Sequence, residues 1–415
     1  MRLRIQLGSK INDDGIIYTI VIHLVLLACK NMLVSTNAFI FEYNDLLNNI
    51  IMVVLAILYL RCILFCGLLK KIPTLAYMFL ILVIVFVVLT FFIDPNRFLG
   101  SGFPYNYVRS QLRTFIAYCL PLFLAVSSIK DYEGLSKKLF SAVPKLFFVA
   151  LLAFLLRFVS KVDNADYSMS YGNAVMFLTI LAIFRYVTTK KKTNIIYVII
   201  SLGFIISCGS RGPLVSIFLA IIICLVCYSN SRISKLTLFF MPIISMLIWF
   251  CFDNIIVLAT IFLEGFGIRS RTLILFTNGM GTYDSGRTVF HQGVLNKLSE
   301  KPLTGLGAFG GEATVGLTHS LYLDTLANFG YVIGIPLLVL LIGYSIKLFM
   351  KNKNGARGYI LIVFMVEVFP TGFFNGGFWE SKELWMIIGI ICSSLNDYFL
   401  SNGKSTKLKK VIEHN

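Results

Sequence analysis

This chain predicts an all-α fold, a polytopic bundle of about twelve transmembrane helices, and three observations carry that expectation. Of its 415 residues, 57% are hydrophobic and only 14% charged, whereas a soluble globular chain carries about 25% charged residues. Mean hydropathy is +0.83. Apolar runs of about 20 residues, the length a helix needs to cross roughly 30 Å of hydrocarbon, recur along nearly the whole chain, and in lipid only helices or closed barrels satisfy their own backbone.

Residues 16–35 follow the polar Asn12-Asp13-Asp14-Gly15 and show no small-residue cleavage site, which predicts a retained span and not a signal peptide. Further spans are expected at 46–69, 73–93, 112–129, 139–158, 172–188, 194–209, 213–229 and 236–252. A polar stretch, Asp253 to Thr318, interrupts the series before spans at 331–350, 358–374 and 384–400 complete it. The chain thus divides into an N-terminal transmembrane bundle (1–252), one large loop (253–318), and C-terminal helices with a tail (319–415). Within the loop, Phe290, Val294, Leu295 and Leu298 fall near one face of a helix, expected to lie along the membrane surface.

Charge orients the bundle. With a cytoplasmic N-terminus, 21 Lys and Arg fall in inside segments and 12 outside; without the five of the long loop, where the charge rule is weak, the ratio is 21 to 7. Both termini are expected in the cytoplasm, and the large loop outside. The net charge of +17 reflects this bias and attraction to anionic lipid, and no basic groove interleaved with aromatics points to nucleic acid. Most of the nine cysteines lie in apolar runs without histidines at ligand spacing. Even Cys224-Leu-Val-Cys227 reads as packing, so neither a metal site nor a disulfide framework is expected.

Chemistry is sought in and around the large loop. Arg211, in Ser210-Arg211-Gly212-Pro213 at a tight turn between two apolar runs, is either an interfacial anchor or a fixed guanidinium offering forked donors to a phosphate. Arg287 follows Asp284-Ser285-Gly286 and opens a helix, where unpaired amides and the positive dipole end suit a pyrophosphate. The loop holds as many acidic as basic residues, so its net charge adds nothing to that reading. His319, in Thr318-His319-Ser320, is a solvated structural side chain or a general base that takes a proton from a sugar hydroxyl near neutral pH. Asp324 is placed to orient it, and Tyr322 to meet the face of a sugar. Gly305 and Gly307 resemble phosphate-loop spacing, but no strand precedes them; they suggest a flexible mouth around substrate. Arg97, Arg109, Arg113 and the stretch Asn375 to Glu380 could also touch headgroup or sugar. Glu367, an acid within a span, is expected to pair with a buried base such as Arg61 or Lys145, or else to relay protons.

Taken together, Ser210-Arg211-Gly212 between two spans, Ser285-Gly286-Arg287 in a large outer loop, Pro302-x-x-Gly305-x-Gly307, and His319-Ser-Leu-Tyr-Leu-x-x-Leu-Ala-x-x-Gly330 heading a span resemble the O-antigen polymerase and O-antigen ligase family of bacterial surface-glycan enzymes. The resemblance covers roughly Asn194 to Leu348; before that only hydropathy agrees. Ser320 stands where the family often has asparagine. The resemblance implies a fold similar to the GT-C glycosyltransferases and a metal-independent enzyme without cofactors in the bacterial cytoplasmic membrane. Its donor and acceptor would be undecaprenyl-pyrophosphate-linked oligosaccharides, its surroundings membrane lipid, and its protein partner a chain-length regulator. By the same resemblance Arg211 and Arg287 would neutralise the pyrophosphate leaving group and His319 would deprotonate the acceptor hydroxyl. Charge stabilisation and alignment suffice for so good a leaving group.

Three functions stay open on sequence. A polymerase of O-antigen or capsular polysaccharide, favoured here, extends another lipid-linked unit; a ligase transfers glycan to lipid A core. A flippase or transporter for the same lipid-linked sugar would use intramembrane charges such as Glu367 and would not need His319.

Overall fold

The computed structural model describes residues 13–35, 43–159, 169–208, 210–228, 257–258, 261–262, 265 and 287–412. The expected span 236–252, together with Ser285 and Gly286, lies outside the described residues. Among the described residues every regular element is a helix. The first half contains α1 (Asp14–Val34), α2 (Asn44–Phe65), the short α3 (Leu68–Lys71), α4 (Thr74–Ile93), the short α5 (Asn96–Leu99), α6 (Tyr105–Thr114), a π-bulge at Phe115–Cys119 and α7 (Leu120–Ser128). Next come α8 (Tyr132–Ser141), α9 (Val143–Val159), α10 (Met169–Thr189), α11 (Thr193–Ser207) and α12 (Arg211–Tyr228). The remainder comprises α13 (Arg287–Glu300), α14 (Gly310–Val315), α15 (Leu321–Asn352), α16 (Ala356–Thr371) and α17 (Lys382–Ile412).

Among the described residues, seven helical stretches are long and apolar enough to cross a membrane: Asp14–Val34, Asn44–Phe65, Thr74–Ile93, Tyr105–Ser128, Tyr132–Leu156, Met169–Thr189 and Leu321–Asn352. Two further apolar helices, Thr193–Ser207 and Gly212–Tyr228, are shorter. α2 and α4 turn Ile57, Leu60, Leu64, Leu82 and Phe92 outwards, an apolar exterior far beyond what a water-soluble surface carries. The class this defines is a polytopic, all-helical membrane protein. α16 is buried from Ile360 to Val368, as a helix surrounded by other helices must be.

The connections gather at two opposite ends of the bundle. At one end, Asp13 before α1 pairs with Lys71 at 2.6 Å and accepts from the backbone N–H of Lys130 and Asp131. Arg357 there lies 4.5 Å over the Tyr132 ring and bonds Asp397. Tyr228, Phe349 and Tyr359 meet at the same end of α12, α15 and α16. At the other end the turn Ser210–Gly212, the segment 301–320, the loop 372–381 and the start of α6 come together. All segments expected inside that the contacts place share the first end, and those expected outside share the second.

Burial raises the Asp13 carboxyl, but the Lys71 ammonium and two backbone donors overcome it and hold the group below the ordinary carboxylate range. A depressed folded-state value means the stabilisation is present above that range and fades as pH falls through it. Asp13→Asn is therefore expected to lower stability by about 1–3 kcal/mol at pH 7, with the gap from wild type narrowing only as pH falls below the ordinary carboxylate range in paired thermal melts in detergent.

The second end is fixed by a break in α15. Gly330 has φ 68° and ψ −179°, a conformation essentially restricted to glycine. The carbonyls freed by that break accept from the 301–307 segment: Ala327 O from Leu306 N at 2.7 Å and Asn328 O from Gly307 N at 3.2 Å, while Tyr331 N donates to Pro302 O at 2.8 Å. A Cβ on Gly330 would stand 2.4 Å from Leu303 O. Gly330→Ala is expected to lose at least about 1–3 kcal/mol of stability through backbone strain alone, read as a lowered thermal midpoint.

Candidate functional site

Two segments build the site. α13 begins at Arg287 and, one turn later, carries Phe290 and His291, the i+3 and i+4 positions of one face. Two of its other apolar residues, Val294 and Leu298, are fully buried against the protein, while Val289 and Leu295 are exposed. The helix expected to rest on the membrane is thus clamped to α14 and the start of α15, because its two innermost side chains find a protein surface to bury them.

His319 stands opposite the first turn of α13. Its ring centroid lies 5.8 Å from that of Phe290. Burial lowers its imidazole below the ordinary histidine range, and the nearby Arg287 guanidinium and His291 ring lower it further. Arg287 and His319 are therefore brought together from opposite sides of a 32-position gap in sequence. His319 Nδ1 and His291 Nε2 are both buried without a hydrogen-bond partner among the described residues. The backbone at His319 is left-handed, with φ 53°, a conformation that costs a non-glycine residue about 1–3 kcal/mol and clusters at functional sites. Its neighbours hold it there. Thr318 and Ser320 are buried, Ser320 Oγ caps α15 by accepting from Leu323 N at 3.3 Å, and Leu321 N donates to Gly372 O at 2.9 Å.

The Arg211 side chain lies outside the described residues, but its backbone opens α12 at the same end. Ser210 packs so closely on α10 that a Cβ at Gly172 would meet it at 2.8 Å, and a Cβ at Gly212 would lie 3.8 Å from that of Phe374. Phe374 adjoins Phe373, whose ring meets that of Tyr322 at 4.4 Å. One short loop thus connects the Arg211 turn to the segment bearing His319.

Several expected site residues have other duties. Tyr322 donates its hydroxyl to Phe369 O at 2.6 Å and packs on Phe373, which ties α15 to α16. Asp324 is fully buried, accepts from Phe378 N at 2.7 Å and faces Glu312. With no described contact to His319, Asp324 is enclosed in the support beneath the site. Burial and then the Asp324 carboxyl push Glu312 well above the usual carboxylate range. Gly305 and Gly307 are no flexible mouth: a Cβ at Gly305 would lie 2.3 Å from Gly330 N, and both glycines belong to the clasp on the α15 break. Arg97 donates to Ala308 O at 2.8 Å and to Asp94. Arg109 is exposed and bonded to Asn106, while Arg113 lines a cavity of about 300 Å³ with Lys30, Asn49 and Tyr118. Of the 375–380 stretch, Phe378 and Trp379 are core. The Trp379 indole donates to Asn328 Oδ1 at 3.1 Å and stacks on Phe309 at 4.7 Å.

Sequence reasoning missed His291, Lys382 and Glu383 as site residues, and gave Glu380 only as part of a stretch that could touch headgroup or sugar. The signal for His291 was its four-residue spacing from Arg287 on one helix. Glu367 pairs with neither Arg61 nor Lys145; Lys382 and Glu383 at the start of α17 face it, and those two are themselves ion-paired. These groups line a second cavity of about 310 Å³, bounded also by Asn31, Asn173, Asn375, Leu317 and Leu321. None of the protein-family models, curated proteins or solved structures compared with the chain matches it.

Proposed function

We propose that the protein is a lipid-linked oligosaccharide polymerase, a metal-independent glycosyltransferase of the bacterial cytoplasmic membrane that joins undecaprenyl-pyrophosphate-linked repeat units into O-antigen or capsular polysaccharide outside the cell. The observation that carries this reading is the meeting of Arg287 with a strained, partly buried, neutral-leaning His319 at the end of the bundle that charge assigns to the outside. A base with a guanidinium nearby suits glycosyl transfer from a pyrophosphate donor. His319 accepts the proton of the acceptor hydroxyl as its oxygen attacks the anomeric carbon. The anomeric carbon–oxygen bond breaks, its electron pair leaves on the pyrophosphate, and Arg287 with the Arg211 turn stabilises that charge.

The twelve-span topology belongs to the same reading. The described chain leaves one end of the bundle at Tyr228 and stands at the other by Arg287, which supports a crossing between them as expected at 236–252. A GT-C-like bundle, cytoplasmic termini and a chain-length regulator as partner complete it. The test is genetic: a deletion strain displays single repeat units on its surface acceptor, whereas finished polymer accumulating on the undecaprenyl carrier would make the protein a ligase.

A further inference from the structure

The cavity beneath the loop 372–381 is lined by neither Arg287 nor His319. It holds about 310 Å³, within the range of pockets that take small molecules. Its wall combines the carboxyls of Glu367, Glu380 and Glu383 with the Lys382 ammonium and the amides of Asn173 and Asn375. Glu367 is more than nine-tenths buried; its Oε2 receives no hydrogen bond from any described residue. An acceptor atom buried in that state costs free energy unless a donor reaches it, and Glu367 is one of the residues that line the cavity.

We propose that this cavity is the acceptor subsite, binding sugar hydroxyls of the glycan to be extended; the inference rests on the polymerase reading. Three carboxyls against one ammonium disfavour a phosphate. Hydroxyls suit the wall because each both donates and accepts: carboxyl oxygens accept hydrogen bonds from them, and the amides and Lys382 donate hydrogen bonds to their oxygens. Location agrees with this assignment. Leu317 and Leu321, two residues to either side of His319, both line the cavity, so the cavity reaches the segment that carries the proposed base. The 300 Å³ cavity shares Asn31, Glu380 and Lys382 with it and continues the polar wall, giving room for more than one sugar residue.

The experiment measures binding to the full-length protein in detergent of free oligosaccharide released by mild acid from the host's lipid-linked repeat units. Saturable binding is expected, weakened at least tenfold by Glu367→Gln and by Asn173→Ala, and not displaced by inorganic pyrophosphate. Asn375→Ala, in a loop, carries the same criterion should Glu367→Gln fail to fold in a thermal melt. Absence of wild-type binding, wild-type affinity in the variants, or displacement by pyrophosphate would overturn the proposal. The polymerase reading is judged separately by elongation: a protein that binds the oligosaccharide through Glu367 yet never lengthens a lipid-linked glycan keeps the subsite and loses the polymerase. Elongation with an acceptor KM unmoved by Glu367→Gln does the reverse.

Discussion

His319→Ala is expected to reduce glycan elongation by about 10²–10⁴-fold, the usual contribution of a positioned general base, while leaving the purified protein folded. The imidazole is half-buried, and its backbone is held at φ 53° by buried neighbours, an arrangement that stability alone does not explain. Removing the ring relieves none of the core contacts that define the bundle end, since Leu321, Ser320 and Thr318 make those. Alanine at φ 53° carries the same or greater strain, so a modest fall in thermal midpoint is expected beside the large loss of rate. A second readout separates chemistry from folding: His319→Ala should leave binding of the lipid-linked donor within a few-fold of wild type. Full activity of His319→Ala in cells, together with loss in Glu367→Gln, would instead favour transport.

Arg287→Gln carries the second large effect, a loss of about 10²–10³-fold in kcat, the scale for removing one charge-stabilising donor. Arg287→Lys should recover only part of it, because a point charge does not reproduce the fork that fits phosphate oxygens. The pH profile adds a sign. Burial and then the Arg287 guanidinium lower the His319 imidazole, so wild-type activity should persist below the ordinary histidine range before falling as the base is protonated. Without the guanidinium the imidazole binds its proton more readily. The acid limb of the residual Arg287→Gln activity should accordingly move to higher pH, and an acid limb that stays in place would mean that the two side chains do not communicate.

The sequence disclosed the helices more fully than the site, for a physical reason. Crossing hydrocarbon imposes a length and an apolar composition that are written continuously along the chain, and eleven of the expected runs coincide with helices among the described residues. α15 starts at Leu321, ten residues before the expected run, because the polar Asp324, Thr325 and Asn328 turn into a protein interior and not towards lipid. The clasp between Gly305, Gly307 and Gly330 was not legible as such: its hydrogen bonds join a loop to a broken helix, and glycine spacing alone cannot distinguish a mobile loop from one pressed against another backbone. Lys382 and Glu367 illustrate the same limit. Each was visible as a charge near a span, but their proximity depends on how α16 and α17 pack. His319 and Arg287, by contrast, were singled out by residue type and position, and the fold places them together.

Purified protein supplied with undecaprenyl-pyrophosphate-linked oligosaccharide gives the most direct test of a site built from Arg287 and His319. Gel analysis should show a ladder of lengthened glycan, with one undecaprenyl pyrophosphate released for each glycosidic bond formed and no added metal required. Folded wild-type protein that binds this lipid yet yields neither ladder nor released pyrophosphate would contradict the account.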